Sequence, residues 1–214
     1  STPCWTKSGL KPWERLFDMR EMIKMGVVLT ILSSFSGGLL AAIRNSTKDK
    51  IELQQLTFVK GPAIKNILAG ASNDPIVDRF KIEHEGGTAS FYVGVFDGAA
   101  HRVAFESAGK GFGGDLGLMV GVDITEDKII GVGVTTHSET PGIGSKAKTD
   151  PSFTNQFKGL ALMDKFQVKT DGGQVDAITG ATITSRGVTF GVTQAGALYK
   201  SLKPQIEAKL KEFN

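Results

Sequence analysis

The class of fold is established by the segment FKIEHEGGTASFYVGVFDGAAHRVAFESAGKGFGGDLGLMVGVDITEDKIIGVGVTTH, residues 80–137. This segment contains five runs that are rich in Val, Ile and Phe or that alternate apolar with polar residues, separated by short turns with Gly or Asp. Both features are typical of β-strands. The predicted strands are 80–85, 89–97, 101–107, 115–123 and 128–137. Because connections this short cannot carry the crossovers of a parallel sheet, the strands form an antiparallel meander.

Helical patterns flank these strands on both sides in the sequence. A helix is predicted over 51–68, interrupted at Gly61-Pro62, and a short one over 151–159. A further strand is predicted around 166–169. A helix then runs over 185–202 with Thr184 or Ser185 as its N-cap, and Pro204 opens a last helix over 204–213. The predicted fold class is α+β: an antiparallel sheet with flanking helices, preceded by a single transmembrane helix.

The membrane segment is Met25–Ile43, a run of nineteen residues without charge. About twenty apolar residues span the hydrocarbon core of a bilayer. Ser, Thr and Gly within the run favour close packing against other membrane helices. A cleaved signal peptide and a buried helix of a soluble protein are the alternatives. The first is disfavoured by the 24 residues of mixed charge ahead of the run, and the second because the run is apolar on every face.

The charges are unevenly distributed. Residues 1–50 hold eight Lys and Arg against four Asp and Glu, whereas residues 51–214 hold seventeen against eighteen. The main domain is therefore nearly neutral and lacks the basic stripe of a nucleic-acid-binding protein. Five basic residues precede the apolar run and three follow it closely, which favours a cytoplasmic N-terminus. The predicted domains are a leader with a short amphipathic helix, 1–24, the span, 25–43, a helical connector, 44–75, and an extracytoplasmic domain, 76–214.

Cysteine and histidine do not suggest a metal site. Cys4 is the only cysteine, and His84, His101 and His137 are scattered without ligand spacing. An internal disulfide and a cysteine-ligated cluster are thereby excluded. Any redox chemistry must come from an organic cofactor or from a partner, and Cys4 is expected to be a free thiol.

The string DAITGATITSR, residues 176–186, joins an extended segment to the start of the predicted C-terminal helix. A helix N-terminus offers unpaired N–H groups and the positive end of a dipole, which suit a phosphate. Gly180 and Ala181 leave the approach uncrowded, and Thr182 and Thr184 place hydroxyl groups there. Ser and Thr ahead of a helix are also ordinary capping residues, so the string alone leaves both interpretations open.

The second string, TTHSETPGIG, residues 135–144, begins at the end of the last predicted strand. One interpretation is a turn in which Glu139 or Thr140 bonds back to the backbone. The other is a loop that lies against a planar ligand, with Gly142 and Gly144 permitting close contact. The string alone does not separate the two.

Taken together, the two strings resemble the FMN-binding domain family. Asp176-x-x-Thr179-Gly-Ala-Thr182 matches the family's flavinylation signature, and His137-x-Glu139-Thr-Pro-Gly-x-Gly matches its second hallmark. The Gly-rich turn 111–115 is a third matching element. With the single span ahead of the domain, nearly the whole chain resembles the G subunit of Rnf-type electron-transport complexes. The C subunit of sodium-translocating NADH:quinone reductase shares the motifs and is the second choice.

The resemblance implies FMN bound covalently, through a phosphoester to Thr182, by a flavin transferase that uses FAD. The flavin ring or ribityl chain would lie beside the loop at 139–142, and the phosphate among residues 179–184. Asp176 would serve the transferase or fix the turn, and His137 would be structural. The predicted cofactor-binding residues are Thr182, Thr179, Gly180, Ala181, Thr184, Ser185, Glu139, Thr140, Gly142, His137 and Asp176, with no catalytic residue and no metal ligand.

The implied function is electron transfer within a membrane-bound ion-translocating ferredoxin:NAD oxidoreductase complex, without independent catalysis by this subunit. Its partners would be membrane, iron–sulfur and flavin subunits of that complex, in the inner plasma membrane. From another class of function, the same residues fit a membrane-anchored structural or ligand-binding subunit without flavin. In that case residues 179–185 only cap a helix.

Overall fold

The computed structural model describes residues 12–84 and 86–213, which fall into two compact units, 1–52 and 53–214. The first unit consists, as far as it is described, of helix α1, whose full extent is Pro12–Gln54. Cys4 and the start of the leader lie outside the described residues. The predicted domain limits at residues 24, 43 and 75 stay predictions, and α1 runs without a break across the first two of them.

Helix α1 contains a segment, Arg20–Lys48, that is long and apolar enough to cross a membrane, and an 18-residue stretch within it has a mean hydropathy of 1.9. At 1.5 Å per residue it measures about 44 Å, more than the roughly 30 Å of a hydrocarbon core. Its large apolar side chains are exposed, Phe35 by 71% and Leu40 by 70%. A helix that is apolar on all sides and exposed is stable in lipid rather than in water. The predicted apolar N-terminal helix is confirmed.

The second unit contains five strands between short helices and one long helix. A π-helical segment, Gln55–Lys60, leads into α2, Gly61–Ile67. The strands are β1, Arg79–His84; β2, Gly87–Phe96; β3, Ala99–Lys110; β4, Asp115–Asp123; and β5, Lys128–Thr136. Helices α3, Lys146–Thr149, and α4, Pro151–Asn155, follow, then a 3-10 turn, Lys169–Asp171, and helix α5, Thr182–Leu210.

The sheet is the predicted meander. Its strand order is β1-β2-β3-β4-β5, and every neighbouring pair is antiparallel. Successive side chains point to opposite faces of a strand, so each strand contributes to two layers. Phe91, Phe105 and Val120 belong to the large core that α5 covers, whereas Tyr92 and Met119 belong to a smaller core with α2. Helices thus flank both faces of the sheet, and the predicted fold class is confirmed.

Helix α5 crosses the sheet at β3 with backbone against backbone. A methyl group on Gly109 of β3 would overlap the carbonyl oxygen of Gly187 in α5, and one on Gly187 would lie 2.5 Å from the carbonyl oxygen of Lys110. One turn further along, the Ser107 hydroxyl donates to the carbonyl oxygen of Gly191 at 2.7 Å. Only glycine permits this approach, which sets the height and the register of α5 on the sheet.

The predicted strand around 166–169 is absent. Phe166 and Val168 are buried, which produced the strand-like alternation, but Val168 forms only an isolated parallel bridge with Val175. The Phe166 N–H donates to the Thr193 hydroxyl at 3.0 Å instead of to a neighbouring strand. The alternation therefore reports the burial of these two side chains and not a place in the sheet.

The predicted break before Pro204 is also wrong, because α5 continues through it. Pro204 removes one backbone hydrogen bond, which costs about 3 kcal/mol in a helix interior. Leu202, Ile206 and Leu210 are all buried on one face of the same helix. Burying each such side chain contributes about 1.5–3 kcal/mol, so their combined burial exceeds the cost of the proline.

The backbone crossing predicts that Gly109→Ala is severely destabilising. Its methyl group would overlap backbone atoms of Gly187, which cannot rotate away as a side chain can. We expect the free energy of unfolding to fall by about 3 kcal/mol or more, measured by chemical denaturation. Gly133→Ala is the matched control, since its methyl group would meet the Ala63 side chain at an ordinary 3.4 Å. Equal stability of the two variants would contradict the assigned crossing.

Candidate functional site

Three segments of the second unit meet at the side chain of Glu139. They are the Gly-rich turn 111–114 between β3 and β4, the loop 137–145 after β5, and the N-terminus of α5. The Gly113 N–H donates to Glu139 Oε1 at 2.9 Å, and the Thr184 hydroxyl donates to Glu139 Oε2 at 2.5 Å. Residues far apart in the sequence are thereby joined through one carboxylate.

The Glu139 carboxylate lies in a narrow, largely dry space. Its residue is 6% exposed and Thr184 is 1% exposed. A methyl group on Gly111 would overlap Glu139 Oε1, and one on Gly144 would lie 2.6 Å from Oε2. Among the residues that the structure describes, no cationic side chain forms an ion pair with it. The carboxylate is therefore held by neutral donors and enclosed by glycine backbone.

The loop after β5 is closed by local hydrogen bonds. The Glu139 N–H donates to His137 Nδ1 at 3.3 Å, which requires that this ring nitrogen carry no proton. The Gly142 N–H donates to the Ser145 hydroxyl at 2.9 Å, and Gly142 has φ +76°. Thr140 is exposed at the surface of this turn. The loop thus presents Thr140 and Gly142 outward while Glu139 points into the protein.

The segment ahead of α5 is fixed at two points. The Gln156 side chain forms two hydrogen bonds with the backbone of Asp176. It accepts from the Asp176 N–H at 2.7 Å and donates to the Asp176 carbonyl oxygen at 3.2 Å. The Ala181 N–H then donates to the Ile178 carbonyl oxygen at 2.9 Å, closing a turn in which Gly180 has φ +79°. A positive φ at the third position of a β-turn favours glycine. The turn carries the chain directly into α5.

Thr182 is the first residue of α5 and is partly exposed. The predicted N-caps, Thr184 and Ser185, are wrong: Ala181 is the N-cap, and no side chain caps the helix. Ser185 lies inside the helix, where its hydroxyl accepts the Ile178 N–H at 2.9 Å. Within the described part of the chain, no hydrogen bond involves the Thr182 hydroxyl. This hydroxyl is therefore available, at a helix N-terminus with unpaired N–H groups.

Two charged residues near this turn are engaged elsewhere. The Asp176 carboxylate pairs with Lys169 at 2.7 Å, and both side chains are more than half exposed. Arg186 donates from Nε and Nη2 to the two oxygens of Asp171, at 2.7 and 2.6 Å. A phosphate near Thr182 would have to compete with Asp171 for the guanidinium group.

Three large apolar side chains at the site are exposed, and sequence reasoning missed them as site residues. They are Phe112, 72% exposed, Ile143, 47%, and Ile183, 48%. Each stands on one of the three segments that meet at Glu139, and an Ile143 methyl carbon lies 3.7 Å from where a Gly180 side chain would begin. For Phe112 and Ile143 the available signal was an apolar residue inside a glycine-rich or Pro-Gly turn, where solvent-facing residues are usually polar.

The structure thus brings most of the predicted site residues into one region. His137, Glu139 and Thr184 are linked by hydrogen bonds, and residues 178–185 form the adjoining turn and helix start. Asp176 is held by Gln156, which follows α4, and by Lys169 rather than by the loop. A groove of about 430 Å³ elsewhere, between α2, β5 and α4, contains none of the predicted residues. The candidate site includes exposed side chains on each of the three segments.

Comparison with known proteins gives a family match that includes this region. Residues 111–197 match the FMN-binding domain family. The G subunit of an ion-translocating oxidoreductase complex of Methanosarcina acetivorans is 34% identical over 173 residues, covering 80% of this chain and 90% of the relative. The corresponding G subunit of Shewanella oneidensis is 31% identical over 186 residues, covering 81% and 87%. The chain belongs to this family of G subunits.

Two solved structures also resemble this member of the G-subunit family. The structure of NqrC of Shewanella oneidensis has a TM-score of 0.50 and 26% identity, covering 64% of this chain and 72% of that one. The C subunit of a Na⁺-translocating NADH-quinone reductase of Parabacteroides distasonis has a TM-score of 0.45 and 30% identity, covering 53% and 62%. The predicted resemblance to the FMN-binding domain family and to its G subunits is confirmed.

The ion pair between Asp171 and Arg186 makes the stability of the folded state depend on pH. Hydrogen bonds from Arg186, together with its positive charge, hold the pKa of Asp171 below its ordinary value of 3.8. A carboxylate with a lowered pKa stabilises the folded state above its ordinary pKa and loses that effect as pH falls through the folded pKa. The stability difference between the wild-type chain and Asp171→Asn should therefore be constant above pH 3.8 and shrink below it.

Urea unfolding at a series of pH values measures that difference. Asp164→Asn is the control, because Asp164 is exposed and forms no ion pair among the described residues. An exposed pair is screened by solvent, so the difference is small at any pH. A gap between wild type and Asp171→Asn that widens below pH 3.8 would contradict the assignment.

Proposed function

We propose that this protein is the electron-transfer subunit of a membrane-bound ion-translocating ferredoxin:NAD oxidoreductase complex and carries FMN through a phosphoester to Thr182. The observation that carries the proposal is the unengaged Thr182 hydroxyl at the first residue of α5, inside the region that matches the FMN-binding domain family. The assignment to such a complex is supported by relatives that are named as G subunits of ion-translocating oxidoreductase complexes. Tethered FMN would supply one- and two-electron transfer.

Attachment requires a single displacement at phosphorus. The Thr182 oxygen forms a bond to the FMN phosphorus of FAD, the bond from that phosphorus to the bridging oxygen breaks, and AMP leaves. The proton of the Thr182 hydroxyl passes to solvent or to AMP, and no electrons are exchanged. A flavin transferase would perform this step during maturation. The exposed Asp176 is available for recognition by it, or it fixes the turn through its backbone.

The start of α5 suits the phosphate of such a link. Its first N–H groups have no partner within the helix, and the dipole of the 29-residue helix favours negative charge at this end. The turn 179–181 leaves space above the helix start, since a methyl group on Gly180 would meet only an Ile143 carbon at 3.7 Å. Thr179 to Thr184 would surround the phosphate in this arrangement.

The flavin ring would lie over the exposed loop residues. Thr140 and Gly142 face outward, and the apolar side chains of Phe112, Ile143 and Ile183 stand around the same surface. A planar aromatic ring that covered them would remove apolar surface from water, at about 25 cal/mol per Å². His137, whose Nδ1 accepts the Glu139 N–H, serves the loop structure in this arrangement.

The setting is a membrane complex. The apolar segment of α1 anchors the chain, with the N-terminus in the cytoplasm and the FMN domain on the extracytoplasmic side. Other membrane, iron–sulfur and flavin subunits would donate and accept the electrons, so the isolated subunit would catalyse nothing. The G-subunit relatives favour this assignment over the C subunit of sodium-translocating NADH:quinone reductase. A flavin-free capped helix is disfavoured because no side chain caps α5.

Ultraviolet fluorescence of the chain in a denaturing gel tests the attachment. We expect a fluorescent wild-type band and a dark band for Thr182→Val, because the variant lacks the hydroxyl that would carry the phosphoester. Thr170→Val is the control, since Thr170 is an exposed threonine outside the motif, and its band should stay bright. Loss of fluorescence with Thr170→Val alone would contradict attachment to Thr182. A dark wild-type band from cells that make flavin transferase would refute covalent FMN.

Phe112→Ser tests the apolar surface. Phe112 is 72% exposed, so the substitution should change the free energy of unfolding by no more than about 0.5 kcal/mol. The visible absorption of the bound flavin should nevertheless shift toward that of free FMN, because one apolar wall of the ring site is lost. Val77→Ser is the control, as Val77 is 73% exposed in the turn before β1. Identical flavin spectra for the two variants would show that Phe112 does not touch the ring.

A further inference from the structure

We propose that Glu139 and Thr184 are positioning residues for flavin attachment: their buried hydrogen bond holds the first turn of α5 so that the Thr182 hydroxyl is presented to the transferase. The inference rests on the proposed function, because it assigns a role in loading Thr182. In this proposal Glu139 does not touch the flavin, and its role is to position Thr182.

The first argument is that the Glu139 carboxylate faces the protein interior. Oε1 accepts from the Gly113 N–H and Oε2 from the Thr184 hydroxyl, and the residue is 6% exposed. Glycine backbone at 111 and 144 closes the space around it so tightly that a methyl group fits at neither position. A ligand on the surface therefore cannot reach the carboxylate without opening this site.

The second argument is the position of Thr184 in the helix. Helix N-termini fray unless their free N–H groups are satisfied, and α5 has no side-chain cap. Two buried hydroxyl groups fix the first turn instead. Thr184 bonds to Glu139 on the loop, and Ser185 accepts from Ile178 and donates to Ala181. Thr182 lies between these anchors and the preceding turn, and no hydrogen bond among the described residues involves its hydroxyl.

The third argument concerns the chemistry of the anchor. Burying a carboxylate that has no ion-pair partner is unfavourable compared with packing an apolar side chain of similar size. The described residues provide only neutral donors to Glu139. A purely structural contact would be better served by apolar groups. Two directional hydrogen bonds, in contrast, fix the distance and orientation of three segments at once, which is what a reaction at Thr182 requires.

The test is the rate at which purified flavin transferase, supplied with FAD, loads the full-length chain in detergent. Misplacement of a reacting group by about 1 Å can slow a reaction roughly a hundredfold. We expect Thr184→Val to be loaded at least about tenfold more slowly than wild type, by the same reasoning. Thr184→Ser, which keeps the hydroxyl, should restore most of the rate. Glu139→Ala should be slow, and adding Thr184→Val to it should slow it no further.

Thr189→Val is the matched control. Thr189 is a buried threonine in the same helix, 3% exposed, and its hydroxyl donates only to the Arg186 carbonyl oxygen at 3.0 Å. Thermal unfolding of the variants identifies any loss caused by instability alone. Normal loading of Thr189→Val beside slow loading of Thr184→Val supports the inference. Equal loading rates for Thr184→Val and Thr189→Val, whether fast or slow, would overturn the inference. The proposed function would still stand in that case if the wild-type chain is loaded. An unloaded wild-type chain overturns both.

Discussion

The close crossing of α5 over β3 sets the positions of the other elements around the site. Where Gly187 passes Gly109 the two backbones are separated only by hydrogen atoms in place of side chains. This contact fixes α5 along its axis as well as above the sheet. Because the helix is rigid, fixing it here also places its first turn, five residues earlier, beside the ends of β3 and β5. The site is therefore a consequence of how the helix seats on the sheet.

The meander supplies the other half of this arrangement. Antiparallel strands joined in sequence place the β3–β4 turn and the segment after β5 at the same end of the sheet, since β3 and β5 both end there. Glu139 then joins the turn, the loop and the helix. The sheet and α5 are rigid and bring the three segments close together. The buried Glu139 carboxylate then fixes their relative position through its hydrogen bonds. Surface loops alone would not hold a reactive hydroxyl as firmly.

The exposed apolar side chains around Thr182 suit the proposed relay of electrons between proteins. Phe112, Ile143 and Ile183 are exposed around Thr182, whereas the groove beneath α2 holds none of the motif residues. A cofactor attached through its phosphate needs no deep pocket for retention. It can stay near the surface, where electrons pass readily to a neighbouring protein.

The sequence by itself determined the strands, the apolar helix and the two motifs, because alternation, length and residue type are local properties. It could not determine the path of α5 through Pro204, since the burial of Leu202, Ile206 and Leu210 outweighs the local cost of proline. Nor could it separate Phe166 and Val168 from a true strand, because burial beneath a helix gives the same alternation. Only the tertiary structure decided that Glu139 points inward to Thr184, forty-five residues away, while Thr182 stays free. Those assignments depend on contacts between residues that are distant in the sequence, and the sequence pattern does not reveal such contacts.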